Sequence, residues 1–158
     1  MNGSVRSAPL ALLGLLLLAS TAHAAEPAPV STGKPFAKGD IFVAATVMNV
    51  PDDDHAGTGR IFQYDEELNL KGEIWLAGSR HKVGGLAVGP DGTLWASAPL
   101  DPVMMEIGRD GRQKPLRRFS DRSFSSVTFA RDGSLYFGEH LQGAVTSFPA
   151  FTTRVHYL

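Results

Sequence analysis

The sequence predicts an all-β fold built from repeated four-stranded units, and three observations support this prediction. The segment Val83–Ser97 (VGGLAVGPDGTLWAS) recurs 41 positions later as Phe124–Gly138 (FSSVTFARDGSLYFG). Each copy places an Asp-Gly pair between two short apolar segments, which is the pattern of a tight β-hairpin. A strand-rich repeat with a period of about 40 residues is typical of the blades of a β-propeller.

The most complete copy predicts one blade, a meander of four strands. Its strands A to D are predicted at Leu86–Val88, Thr93–Ser97, Val103–Ile107 and about Lys114–Phe119. Between strands A and B, the proline of the Gly-Pro-Asp-Gly turn fixes one φ angle and the final glycine accepts a positive φ. A second turn, at Arg109-Asp110-Gly111, separates strand C from strand D.

Two less complete copies flank this blade. In the earlier copy, Phe36–Val43 resembles Phe129–Tyr136 with one turn residue missing. An insertion follows at about 49–59, and strands C and D are predicted at Arg60–Tyr64 and Lys71–Leu76. The later copy starts at about Val127, has its strand C at Ala144–Phe148 and lacks a convincing strand D. We therefore expect about two and a half to three blades of an incomplete ring.

An incomplete ring leaves two explanations open, because closed propellers typically have four to eight blades. The chain is a truncated or frameshifted copy of a longer propeller, or it is a short chain that completes its ring by assembling with others. Truncation is favoured because the pattern breaks within a blade. Unpaired strands at the open blade edges would promote self-association.

The first 24 residues have the pattern of a secretory signal peptide. They carry a single charge at Arg6, an apolar run at Leu10–Ala19 and the small-x-small sequence Ala22-His23-Ala24 before the predicted cleavage point. The apolar run is too short to cross a bilayer as a helix, so we expect no membrane span after cleavage. The predicted location is the periplasm or the extracellular medium.

The remaining boundaries follow from composition. Residues 25–34 are rich in Ala and Pro and are expected to form a flexible linker, the blades occupy 35–148, and 149–158 form an irregular tail. The formal net charge of −1 argues against a nucleic-acid partner. The absence of cysteine excludes disulfides, thiol catalysis and thiolate metal sites.

The sequence GGLAVGPDGTLWAS at 84–97, followed by MMEIGRDG at 104–111, resembles the repeats of streptogramin lyases and, more broadly, of NHL and gluconolactonase-like propellers with six or seven blades. The resemblance covers residues 36–148. It implies the propeller fold, and for some members a lactone hydrolase or lyase activity with a divalent metal in the central channel. Glu139, after strand B, stands where lyase-like repeats often carry a glutamate.

Loop residues at one end of the blades are the candidate site. The turns A–B and C–D share one end, whereas the connections B–C and D–A share the other and carry most of the polar residues. Among these we assign three roles: substrate binding to Arg80 and His81, catalysis to His140, and metal binding to Asp52, Asp54 and Glu139. The cofactor is unknown, with a divalent cation such as Ca²⁺ or Mg²⁺ as the candidate.

The sequence is compatible with two functions. The first is an exported binding module whose loop face contacts a small molecule, a saccharide or a protein. The second is a metal-dependent lactone hydrolase or lyase, in which a loop histidine is the base. Whether the chain is an enzyme is left open by the sequence.

Overall fold

The computed structural model describes residues 29–118, 124–139, 145–148 and 156–157. These residues form three antiparallel sheets that follow one another along the chain. The predicted all-β blade architecture is therefore confirmed. Within the described ranges, no helix is long and apolar enough to cross a bilayer. The predicted signal peptide and His140 lie outside the described residues.

The first sheet has three strands in the order β1-β2-β3. They span Ile41–Met48, Gly57–Tyr64 and Leu70–Trp75. The second of these begins at Gly57 and not at the predicted Arg60, because β1 and β2 pair as far as Met48 opposite Gly57. The insertion between them is correspondingly shorter and covers 49–56.

The second sheet is the four-stranded meander that the sequence predicts, in the order β4-β5-β6-β7. The strands span Leu86–Val88, Leu94–Ser97, Val103–Ile107 and Arg117–Arg118. The last strand is shorter than the predicted Lys114–Phe119. Pairing with β6 starts at Gln113 and Lys114, but Pro115 has no N–H to donate and interrupts the strand.

The third sheet also has four strands, which corrects the prediction that the last blade lacks strand D. The strands β8 to β11 span Phe124–Phe129, Leu135–Glu139, Val145–Phe148 and His156–Tyr157. The order is β11-β10-β9-β8, so the two-residue β11 occupies the fourth position. It lies inside the predicted irregular tail, where no alternating pattern marks it.

Three equivalent tight turns confirm the repeat. In each, a backbone N–H donates to the carbonyl three residues earlier: Asp40 to Ala37, Gly92 to Gly89, and Gly133 to Ala130. The glycines Gly39, Gly92 and Gly133 have φ between 79° and 89°, which a residue with a Cβ rarely adopts. The turn residues therefore predicted the β4–β5 and β8–β9 hairpins correctly, and the first copy has an equivalent turn immediately before β1.

Neighbouring sheets pack through two apolar junctions. The first buries Ile61 and Ile74 of the first sheet against Leu94 and Met105 of the second. The second junction buries Met104 of the second sheet against a set from the third sheet, namely Phe124, Val127, Leu135 and Phe137. In this second junction Trp95 meets Phe129 edge to face, with ring centroids 5.9 Å apart. Phe42 and Trp95, which occupy the same position in strand B of successive copies, thus both pack between sheets.

The last residues of the predicted flexible linker are bound to the first sheet. Thr32 N–H donates to the carbonyl of Glu73 at 2.7 Å, and the Ser31 hydroxyl accepts the N–H of Trp75 at 2.9 Å. Lys34 N–H donates to the side chain of Gln63 at 2.9 Å. The segment has no helix or strand, as expected, and hydrogen bonds from residues 31–34 reach β2 and β3.

Candidate functional site

Three loops meet at one end of the first two sheets, which we call the loop end. They are the β1–β2 loop (49–56), the β3–β4 connection (76–85) and the β5–β6 loop (98–102). Backbone hydrogen bonds join the first two: Gly57 N–H donates to the Arg80 carbonyl and Lys82 N–H to the His55 carbonyl, both at 2.9 Å. Since these loops are tied together, their side chains are presented by one hydrogen-bonded unit.

Asp101, in the third loop, is the centre of the loop end. Its side chain is only 2% exposed. One carboxylate oxygen accepts the backbone N–H groups of Arg80 at 2.9 Å and His81 at 3.2 Å. The other lies 2.9 Å from Nδ1 of His81 and 3.7 Å from Nε of Arg80. A buried carboxylate therefore fixes both residues that the sequence assigns to substrate binding.

Further hydrogen bonds hold the β3–β4 connection in place. The Ser79 hydroxyl donates to the His81 carbonyl at 3.0 Å. Val83 N–H donates to the hydroxyl of Thr46 on β1 at 3.1 Å. Close packing also limits movement, because a Cβ added at Gly59 would lie 2.4 Å from the Val83 side chain. The connection is thus fixed along its length between the first and second sheets.

The acidic run of the β1–β2 loop is partly structural. Asp53 accepts the backbone N–H groups of His55 and Ala56 at 2.8 and 3.1 Å. These hydrogen bonds lower the pKa of the Asp53 carboxyl below its usual value. Nδ1 of His55 lies 2.5 Å from a carboxylate oxygen of Asp54. Asp53 therefore shapes the loop, whereas Asp54 is displayed with 84% of its side chain exposed.

The structure places one of the three predicted metal ligands, Asp54, in a cluster with two residues that were not predicted as ligands. Asp53, Asp54 and His55 have ligand atoms within 4.8 Å of one another. Among the described residues, Asp52 and Glu139 do not belong to this group. Asp53 and His55 already use a ligand atom in contacts within the loop, and Ca²⁺ needs six to eight oxygen ligands. The metal-binding roles assigned to Asp52, Asp54 and Glu139, the last buried at the end of β9, stay predictions.

A cleft of about 500 Å³ lies beside these loops. Its lining combines apolar, acidic and basic side chains: Met48, Asn49, Val50, Pro51, Asp53, Asp54 and Lys82. The volume falls within the range of small-molecule sites, about 300–1,000 Å³. Acidic and basic side chains line the same cleft, so the cleft suits a ligand with polar groups of more than one kind.

Sequence analysis placed the loop end correctly but missed its central residue. Asp101 lies in the β5–β6 loop of that end, but no role was predicted for it. Its partners Arg80 and His81 lie 21 and 20 positions away on another connection. The sequence around Asp101 shows only an Asp-Pro pair directly before a strand, and this pattern does not indicate that the Asp101 carboxylate is buried.

Comparison with known proteins supports the fold. No protein-family model matches the chain, and no curated protein matches it. Among solved structures, it is similar to virginiamycin B lyase from Staphylococcus aureus, with a TM-score of 0.53 and 15% identity over 70% of this chain. It is also similar to regucalcin, a calcium-binding protein from Agrobacterium tumefaciens, with a TM-score of 0.53 and 13% identity over 81% of this chain.

In both comparisons the matched part spans 43% of the other chain. Both neighbours are β-propeller proteins. At these identities the likeness concerns architecture, and it agrees with the resemblance that the repeats predict. The described sheets are therefore blades of the β-propeller type, and together they match less than half of either solved propeller.

Proposed function

We propose that this chain is an exported binding module whose loop end holds a small polar molecule in the cleft beside Asp54 and Lys82. The observation that carries the proposal is the buried Asp101 carboxylate, which ties the β5–β6 loop to the β3–β4 connection before any ligand arrives. Backbone hydrogen bonds then join that connection to the β1–β2 loop. A surface ordered in advance loses less conformational entropy on binding.

The cleft chemistry indicates the ligand class. Lys82 supplies a cation, Asp53 and Asp54 supply carboxylates, and Met48 and Val50 supply apolar contact. A saccharide, or a small hydroxylated acid or lactone, offers hydroxyl groups to the carboxylates and a carbonyl or carboxylate to the lysine. The cleft size favours such a small molecule over a protein partner.

The test is a binding screen by isothermal titration calorimetry with mono- and oligosaccharides, sugar acids and their lactones. We expect at least one class to bind, and Lys82→Met to weaken its binding about tenfold through the lost charge-assisted hydrogen bond. Lys38→Met is the matched control, because Lys38 is equally an exposed lysine but lies in a turn at the opposite end of the first sheet. Equal weakening by both substitutions, or no binding by any class, would refute the proposal.

A second function, lactone hydrolysis, is favoured by one observation. Asp101 contacts Nδ1 of His81, and this orientation of an imidazole by a buried carboxylate leaves Nε2 to act as a general base. His81 would accept a proton from water as the water oxygen bonds to the lactone carbonyl carbon. The ring C–O bond would then break, and the proton would pass to the departing alkoxide.

Turnover of the same lactones separates the two functions. If His81 is a base, then Asp101→Asn should reduce turnover strongly while binding persists, because the amide can still accept the two N–H bonds but favours the wrong imidazole tautomer. Binding without turnover, with or without added Ca²⁺ or Mg²⁺, would support the binding function and rule out lactone hydrolysis.

A further inference from the structure

We infer that the outer face of the first sheet is a self-association surface that packs against the third sheet of a second copy of this chain. We call this surface the open face and define it by Ile41, Val43 and Val47 of β1 with Phe62 and Tyr64 of β2. The register places Ile41 opposite Tyr64 and Val43 opposite Phe62, and residues directly opposite in an antiparallel pair share a face.

The repeat shows what this face does in the other sheets. Ile41 lies opposite Tyr64 in the first sheet. The equivalent pairs are Leu94 with Ile107 in the second sheet and Leu135 with Phe148 in the third. By the same register, Val43 is equivalent to Ala96 and Phe137. In the second and third sheets these positions form the junction with the preceding sheet. The open face is therefore the first sheet's copy of a junction surface.

Exposure shows that the junction is incomplete. Leu94 and Ala96 are 1% and 0% exposed, whereas Ile41 and Val43 are 40% and 45% exposed. On β2, Arg60 stacks over Phe62 at 4.4 Å and over Trp75 at 5.3 Å, so the guanidinium covers that part of the face. The exposed apolar area is thus concentrated on β1, which among the described strands pairs only with β2.

The complementary surface lies at the other end of the same chain. Each internal junction receives an aromatic from strand B of the preceding sheet: Phe42 packs into the first junction and Trp95 into the second. Tyr136 is the third member of this series, and no described sheet follows it. A second copy therefore supplies both missing partners at once, since the Tyr136 side of each third sheet meets the open face of the other copy.

Such a contact is head to tail and closes on itself. Two copies of the three described sheets give six blades, within the four to eight of closed propellers, and the two interfaces are identical by symmetry. The continuity of the junction from sheet to sheet favours a blade of the same type as the occupant, in preference to a peptide or a membrane. This inference does not depend on the proposed ligand site.

The test is the molar mass of the purified chain by size-exclusion chromatography with light scattering. We expect the mass of two chains, and Val43→Asp should shift the protein to one chain by burying a charge in the interface. Leu100→Asp is the control, because Leu100 is 37% exposed but lies in a loop of the second sheet. It should leave the dimer intact.

If the aspartate variant fails to fold, the milder change Val43→Thr still tests the dimer. The buried hydroxyl should raise the dimer dissociation constant about tenfold, with an unchanged circular dichroism spectrum. A monodisperse monomer, an ill-defined aggregate, or a dimer equally stable in wild type and Val43→Thr would overturn the inference.

Discussion

The two ends of the sheets each contain a buried carboxylate, and the two carboxylates are used differently. At the turn end, where Ala37–Asp40 forms the first tight turn, the Asp40 side chain is 3% exposed. It contacts the Lys71 ammonium, accepts a hydrogen bond from Gln63 Nε2 at 2.7 Å and accepts the Ala37 N–H at 2.9 Å. All these partners belong to the first sheet and its own turn.

At the loop end, Asp101 binds groups from a different connection. Its partners are backbone and side-chain atoms of Arg80 and His81, and through them the β1–β2 loop is joined as well. The Arg80 side chain remains 79% exposed. The comparison teaches that one buried carboxylate completes a single sheet, whereas the other joins separate loops and displays their side chains.

The largest expected effect is at Asp101. Asp101→Ala leaves two backbone N–H groups without their acceptor, which should lower the free energy of unfolding by about 3 kcal/mol. Asp101→Asn keeps an acceptor oxygen of the same size and should cost clearly less. Urea denaturation of both variants measures the difference, and equal losses would show that the hydrogen bonds to Arg80 and His81 contribute little.

A smaller effect, which depends on pH, is expected at Asp40. Burial raises the pKa of its carboxyl, but the hydrogen bonds from Lys71, Ala37 and Gln63 together outweigh burial and hold the pKa below 3.8. Because the folded-state pKa is depressed, ionised Asp40 stabilises the fold above about pH 4, and this contribution is lost as the pH falls through the folded-state pKa.

Asp40→Asn should therefore cost about 2 kcal/mol at pH 7, since Lys71 loses its counter-charge but remains partly exposed. The cost should shrink as the pH is lowered from 5 to 2. Unfolding free energies at several pH values test this, and a cost that stays constant or grows in acid would contradict the assignment. Ligand binding at the loop end should be unaffected, in contrast to Asp101→Ala.

The smallest effect on stability is expected at Arg80. Its side chain is mostly exposed, so Arg80→Ala should change the free energy of unfolding by no more than about 0.5 kcal/mol. The backbone N–H that Asp101 accepts remains in the variant. If Arg80 recognises an anionic ligand, as the sequence predicts, affinity for sugar acids should fall while affinity for neutral sugars is retained. A large loss in the free energy of unfolding of Arg80→Ala would show instead that the Arg80 side chain stabilises the fold.

Local chemistry explains what the sequence predicted well. The Asp-Gly turns predicted the hairpins of the second and third sheets, because the hydrogen bonds that form them lie within four residues. Trp95, at a strand-B position where each copy has an aromatic, packs between sheets.

Distant pairing explains what the sequence missed. β11 has two residues and is defined by backbone pairing with β10, which leaves no periodic signal. Hydrogen bonds from residues 31–34 reach β3 about 40 positions later. Asp101 could not be identified as the centre of the site, because its burial depends on loops of two different sheets.

The most direct test of the central claim, that Asp101 holds the loop end together, is amide hydrogen exchange in Asp101→Ala. We expect faster exchange at the amides of Arg80, His81 and Lys82, and unchanged exchange at strand amides such as those of Ile61 and Ala96 under native conditions. Unchanged protection of Arg80 and His81, or the same acceleration throughout the strands, would contradict the account.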